Sequence, residues 1–191
     1  QEPQDFASPL VLDLNNNSIT STSVFETEVY FDLDGDGFRE HCGWIESGDG
    51  LLALDLDGSG AIENGNELFG NYTPDETGAN AKHGFAALSR YDENSDGVMN
   101  SGDAIFSSLR VWIDANGDGQ SQANELYTLD SLHIKSIDLN SQESDDLEAF
   151  NQVNQISTFT RQQEDESGTL LVDETGNPIT EEIAIRDVWF N

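Results

Sequence analysis

Short apolar runs that end in acid and glycine recur along this chain. "SPLVLDL", "VYFDLD" and "GLLALDLDG" each read as a brief strand running into an acidic turn. The pattern then changes period. "GFAALSRYD" predicts a helix with Phe85, Leu88 and Tyr91 on one face, and "DAIFSSLR" predicts a second helix from about Asp103. "VWI", residues 111–113, reads as a short strand, and "QANELYTLDSL" as a helix with Leu126, Leu129 and Leu132 turned inward. "IKSIDL" returns to strand, and residues 141–154 read as a polar loop or loose helix. "ISTFTRQ", "GTLLVD" and "AIRDVWF" predict a β-rich tail turned by "ETGNP". With no clean linker inside, the expectation is a polar linker at 1–8 and one α+β domain at 9–191. Its parts are a core of acidic loops at 9–140 and a loop plus β tail at 141–191.

Charge sharpens this picture. Asp and Glu number 38 against 7 Lys and Arg, a net charge of −31. Such a surface argues against nucleic acid, which needs a basic face, and against an anionic membrane. Self-repulsion at this charge opposes compactness. Either the acids form a solvated surface suited to salty surroundings, or many of them bind divalent cations. Spacing decides between the two.

Five segments share a spacing. In Asp114-Ala-Asn116-Gly-Asp118-Gly119, with Glu125 at position 12, oxygens at positions 1, 3 and 5 converge. Glycine at position 6 permits the turn, Gln120 offers a carbonyl at position 7, and Glu125 closes the shell, as in an EF-hand loop for Ca²⁺. Asp92, Asn94, Asp96, the Val98 carbonyl and Asp103 repeat the scheme with a shorter closing acid between two predicted helices. Asp55, Asp57, Ser59 and the Ala61 carbonyl do so with Glu67 one residue late and Glu63 as a further donor. Asp32, Asp34, Asp36 and the Phe38 carbonyl form the fourth. It has Glu40 at position 9 but no acid at position 12, so a ligand from elsewhere is needed, and Asp49 is the expected one. Asp13, Asn15 and Asn17 form the weakest, without the glycine or a closing acid, and this loop can equally be vestigial.

Asp/Asn/Gly clusters also make ordinary turns, but four copies of one spacing argue for several Ca²⁺ ions, four or five in all. Four ions would offset about eight charges. Mg²⁺ prefers fewer protein ligands, and zinc is poorly served by one Cys and three scattered His. Because a lone Cys42 forms no internal disulfide, bound metal is the expected staple of an extracellular fold, which would not hold without it. The chain begins Gln-Glu-Pro, with neither Met nor an apolar signal segment, so it is expected to be a piece of a longer protein that carries its targeting signals elsewhere.

Taken in order, "SPLVLDLN", "YFDLDGDGFRE", "GWIESGDGLLALDLDGSGAIENGNELFGN", "KHGFAALSRYDENSDGVMNSGD" and "LRVWIDANGDGQSQANEL" resemble a module of large calcium-dependent RTX proteins of Gram-negative bacteria. The resemblance is dense over about 8–140. It implies a secreted protein at the bacterial cell surface. One branch is the self-processing module of the FrpC type of iron-regulated RTX protein, in which calcium triggers cleavage of an Asp-Pro bond and the new Asp can join a Lys. The other is the peptide-binding domain of giant RTX adhesins, which takes the C-terminal end of peptides on host or partner cells. This chain has Ser8 before Pro9, and no Asp-Pro bond anywhere. The adhesin branch is therefore expected: a calcium-dependent peptide-binding domain, not an enzyme. Self-processing and a purely structural calcium spacer are the alternatives. No nucleophile elbow, His-Glu-x-x-His motif or phosphate loop is present. In so acidic a chain Lys82, His83, Arg110 and Trp112 are the candidates to hold a peptide, although pairing with acids and core packing are their ordinary uses.

Overall fold

The structure is a computed structural model that describes residues 7–74, 77–148 and 151–190. The expected linker at 1–8 lies largely outside these residues, while Ala7 and Ser8 are buried, Ala7 bridging to Phe190. The strands are β1 (Leu10–Leu12), β2 (Ser21–Thr22), β3 (Tyr30–Phe31), β4 (Glu40–His41), β5 (Trp44–Ile45), β6 (Gly50–Ala53) and β7 (Val98–Asn100). They continue as β8 (Arg110–Trp112), β9 (Leu126–Thr128), β10 (Ile134–Asp138), β11 (Gln142–Glu143), β12 (Leu147–Glu148), β13 (Asn151–Gln162) and β14 (Thr180–Trp189). Among the described residues α1 (Gly84–Ser89) is the one α-helix.

The protein is therefore mostly β, and the α+β expectation is corrected. One antiparallel sheet runs β7-β10-β13-β14-β1-β6-β8-β9, with β11 and β12 also pairing onto β13. The ribbons β2-β5 and β3-β4 stand apart from it. Strand alternation sends Leu10, Leu12, Leu52 and Ile185 to one apolar cluster, and Val11, Leu51, Ala53 and Val188 to another. The central strands are thus buried on both faces, which is why they read as continuous apolar runs.

Four further expectations change with the fold. The helix at 122–132 is absent. Leu126 packs on one cluster and Leu129 and Leu132 on the other, so their three-residue spacing serves a strand followed by a 3₁₀ turn at Asp130–Leu132. The helix from Asp103 is a 3₁₀ turn, Ala104–Ser107. The loop at 141–154 is, in its described part, mostly short strand against β13, whereas "GTLLVD" forms only isolated bridges at Leu170 and Val172. The acidic loops are consequently carried by strand ends, except the Asp92 loop, which runs from the end of α1 to the 3₁₀ turn Ala104–Ser107, and among the described residues no pair of α-helices frames any of them as in an EF-hand.

Candidate metal-binding loops

Each loop starts where a strand or α1 has just ended, and its first carboxylate caps the turn. Asp114 Oδ1 accepts from the amides of Gly117 (2.7 Å) and Asp118 (3.3 Å), and Oδ2 from Gly119 (2.9 Å). Asp32 treats Gly35, Asp36 and Gly37 in the same way, as Asp55 does Gly58, Ser59 and Gly60. Asp92 holds Asp96 and Gly97. The position-3 side chains Asp34, Asp57, Asn94 and Asn116 accept the position-5 amide. The position-5 side chains Asp36, Ser59, Asp96 and Asp118 accept the position-7 amide, donated by Phe38, Ala61, Val98 and Gln120. Positions 4 and 6 are left-handed in all four loops, with Gly119 at φ 66° and Ser95 at φ 57°, the former open only to residues that tolerate positive φ.

A second carboxylate then folds over the loop and takes its position-2 amide. Glu125 accepts from Ala115 (3.2 Å), Asp103 from Glu93 (3.0 Å) and Glu67 from Leu56 (3.0 Å). In the Asp32 loop Glu40 does this, accepting from Leu33 at 2.9 Å. The closing acid absent from position 12 is therefore supplied from position 9, because β4 brings Glu40 back across the turn. Asp49, expected in that role, lies elsewhere and accepts from Thr20. Carboxylate oxygens of Asp32, Asp34, Asp36 and Glu40 all lie within 4.8 Å of one another, as do those of Asp55, Asp57 and Glu67.

Burial makes these clusters costly when bare. Asp114, Asp103, Glu125 and Glu67 are all buried. Desolvation pushes the Glu67 carboxyl up against the pull of the Glu63 and Leu56 amides, with the Glu63 and Asp57 charges adding to the rise. Burial raises Glu40 too, opposed by the Leu33 amide and helped by Asp34 and Asp32. At half-buried Asp55 the Gly60 amide wins and holds the carboxyl down. An all-oxygen donor set of carboxylates, amide oxygens and turn carbonyls suits a hard divalent cation of flexible coordination, so the residues present fit Ca²⁺.

The loops are coupled to each other and to the core. Ser121 Oγ accepts from the Ile62 amide (2.6 Å) and donates to the Ile62 carbonyl (3.2 Å), tying the Asp114 loop to the Asp55 loop. The Gly65 amide donates to the Asp32 carbonyl, tying the Asp55 loop to the Asp32 loop. Trp44 Nε1 donates to Asp114 Oδ2 at 2.7 Å, and Trp112 Nε1 to Glu125 Oε2 at 3.4 Å. The two indoles meet edge to face at 5.4 Å. Sequence reasoning missed Trp44 here, since nothing local marks an indole 70 residues away as a partner of Asp114.

The four candidate peptide-holding residues do not form one group. Trp112 is wholly buried. The Arg110 guanidinium folds onto the carbonyls of Ser107, Ser108 and Leu109. His83 caps α1 by accepting from the Ala86 amide, beside exposed Lys82. A cleft of about 370 Å³ lies instead beside the Asp114 loop, lined by Thr22, Glu26, Val29, Trp44, Asp114 and Asn116 among others. Burial pushes the Cys42 thiol up to about 12, so it carries no useful thiolate at neutral pH.

The fold is thus a β module whose strand-end turns are acidic loops closed by second carboxylates. Residues 10–173 match the SPM domain, and the chain belongs to that family. It is 48% identical over 132 residues to the iron-regulated protein FrpA of Neisseria meningitidis serogroup C, an alignment that spans 69% of this chain and 12% of that protein. The relation to FrpC-type iron-regulated RTX proteins expected from the loop series therefore stands.

Proposed function

We propose that this chain is a calcium-ordered binding module of a secreted RTX-type protein, and that its ligand is the C-terminal end of a peptide on a target cell. The observation that carries the calcium reading is the closing carboxylate: in four loops a second acid crosses to the position-2 amide and completes an oxygen cage. No helix among the described residues is long and apolar enough to cross a membrane.

The cleft beside the Asp114 loop is the seat that fits a peptide. Its volume of about 370 Å³ lies in the range of small-ligand sites, roughly 300–1,000 Å³. Glu26, Glu28, Glu46 and Asp114 line it, and unaided they repel a terminal carboxylate. A dication held by the Asp114 loop supplies the positive charge that a free C-terminus needs. Phe25, 93% exposed, stands at a neighbouring hollow with Tyr30 and His41 and offers an apolar contact for a penultimate side chain.

Peptides with free and amidated C-termini, titrated by fluorescence anisotropy with calcium and with EDTA, test this reading. Binding by free C-termini alone, lost on chelation, is the expected result. Absence of any binder would favour a structural spacer. Self-processing is the other outcome to check: calcium-dependent cleavage of the parent chain at Ser8-Pro9 would overturn the binding role. Ser8 lacks the carboxylate that such cleavage uses in the FrpC type.

A further inference from the structure

The loop at Asp13 has the poorest sequence of the five, yet it is built like the others. Asp13 Oδ1 accepts from the Asn17 amide (3.1 Å) and Oδ2 from the Ser18 amide (2.9 Å), while Asn15 Oδ1 accepts from Asn17 (3.2 Å). Positions 4 and 6 are again left-handed, here at Asn16 (φ 55°) and Ser18 (φ 79°). By itself this is a well-made turn.

What distinguishes it lies 36 residues along the chain. Asp49, in the turn between β5 and β6, is 2% exposed. Its Oδ2 accepts from the Thr20 amide at 2.9 Å, and the Leu14 amide, position 2 of the loop, lies against the same carboxylate. Asp49 thus stands where Glu40, Glu67, Asp103 and Glu125 stand in the other four loops. Its Oδ1 is buried and has no hydrogen-bond partner. A second buried carboxylate, Asp13, interacts with it as a like charge. A Cβ on Gly48 (φ 118°) would come within 2.7 Å of Asn15 Nδ2, so the turn seats directly on the loop.

A buried carboxylate oxygen that receives no proton donor and feels the charge of another buried carboxylate is expensive unless a cation serves both. We propose that Asp13, Asn15, Asn17 and Asp49 form a fifth divalent-cation site, discontinuous in sequence and closed by Asp49. With two carboxylates and two amides it is neutral once a dication binds, whereas the Asp32 loop brings four acids to its ion. The fifth site is accordingly the last to fill, and it pins the β5–β6 turn to the end of β1. The inference rests on the calcium reading of the other loops.

Calcium titration of the whole chain, by calorimetry with native mass spectrometry for the count, tests it. The wild type is expected to bind five ions, one more weakly than the rest, and Asp49→Asn to bind four with unchanged circular dichroism. Asp49→Asn keeps an acceptor for Thr20, but Asn17→Ala serves as a second variant should it misfold, and it is expected to weaken the last-filling ion at least tenfold. Four ions in the wild type and four in both variants would overturn the fifth site and leave the calcium reading intact. No calcium at all would overturn both.

Discussion

The turn at Asp173 and the loop at Asp114 begin with the same chemistry. Asp173 Oδ1 accepts from the amides of Thr175 and Asn177, and Asp114 Oδ1 from those of Gly117 and Asp118. Asp173 lies fully in solvent, where hydrogen bonds from the Thr175 side chain and the Asn177 and Thr175 amides hold its carboxyl down to about 2. Asp114 is 1% exposed, receives Trp44 Nε1, and sits under a loop that Glu125 closes. The first is a turn that a carboxylate makes better. The second brings two buried carboxylates, Asp114 and Glu125, to one loop. An Asp/Asn/Gly pattern does not separate the two, but a second, buried carboxylate that crosses the loop does. The same contrast runs through the sheet. Its strands next to the loops are two to four residues long, whereas β13 and β14 run for 12 and 10 residues on a ten-pair ladder. On the calcium reading proposed above, order at one side rests on ions, and at the other on the backbone hydrogen bonds of the long ladder.

Substitutions that attack the closed loops should matter most. Asp114→Ala removes an ion worth about 3 kcal/mol at a hundredfold excess over Kd and strands a buried indole N–H at a cost of about 1–3 kcal/mol. Its calcium-saturated stability should fall by about 4 kcal/mol or more in denaturant titrations, with a changed Trp emission. Glu40→Gln cuts one charge from a partly exposed cage, and calorimetry should show one ion weakened by roughly tenfold, about 1.4 kcal/mol.

A buried acid outside the loops sharpens the contrast in another way. Asp187 on β14 is fully buried, accepts from the Gly84 amide at 2.6 Å, and burial pushes its carboxyl up to about 7. The Ser8 and Trp189 side chains beside it pull the other way without overcoming the burial. Its folded pKa lies above the unfolded value of 3.8. The folded state therefore binds the extra proton between these values, and this contribution to stability is lost as pH rises through that window. Asp187→Asn, compared with the wild type at saturating calcium, should gain relative stability steadily from pH 4 to pH 7 in thermal melts. A flat difference would show that Asp187 is already ionised in the fold. The smallest effect belongs to the open turn. Asp173→Asn should leave the thermal midpoint nearly unchanged, and the calcium count entirely so. A lost ion there would break the distinction drawn between turn and loop.

The apolar runs made β1, β6, β8, β10 and the C-terminal hairpin legible, and the spacing of Phe85 and Leu88 made α1 legible, since each pattern reports one local face. The leucines at 126, 129 and 132 misled because they answer to two cores, a fact that only the sheet establishes. The first six positions of each acidic loop were equally legible, being local. Closure was less so. Glu125, Asp103 and Glu67 follow their loops at readable distances, but Glu40 reaches back through β4, and Asp49 belongs to Asp13 rather than to the Asp32 loop through contacts that span 29 residues or more.

Four ions, each adding about 2.7 kcal/mol at a hundredfold excess over Kd, amount to about 11 kcal/mol, comparable to the whole net stability of a domain at about 5–15 kcal/mol. Thermal unfolding followed by near-ultraviolet circular dichroism, with excess calcium and then with EDTA, tests this most directly. The account predicts a cooperative transition with calcium, and under EDTA the loss of the tertiary signal of Trp44 and Trp112 already at 25 °C. An identical spectrum and an unchanged midpoint after chelation would contradict it.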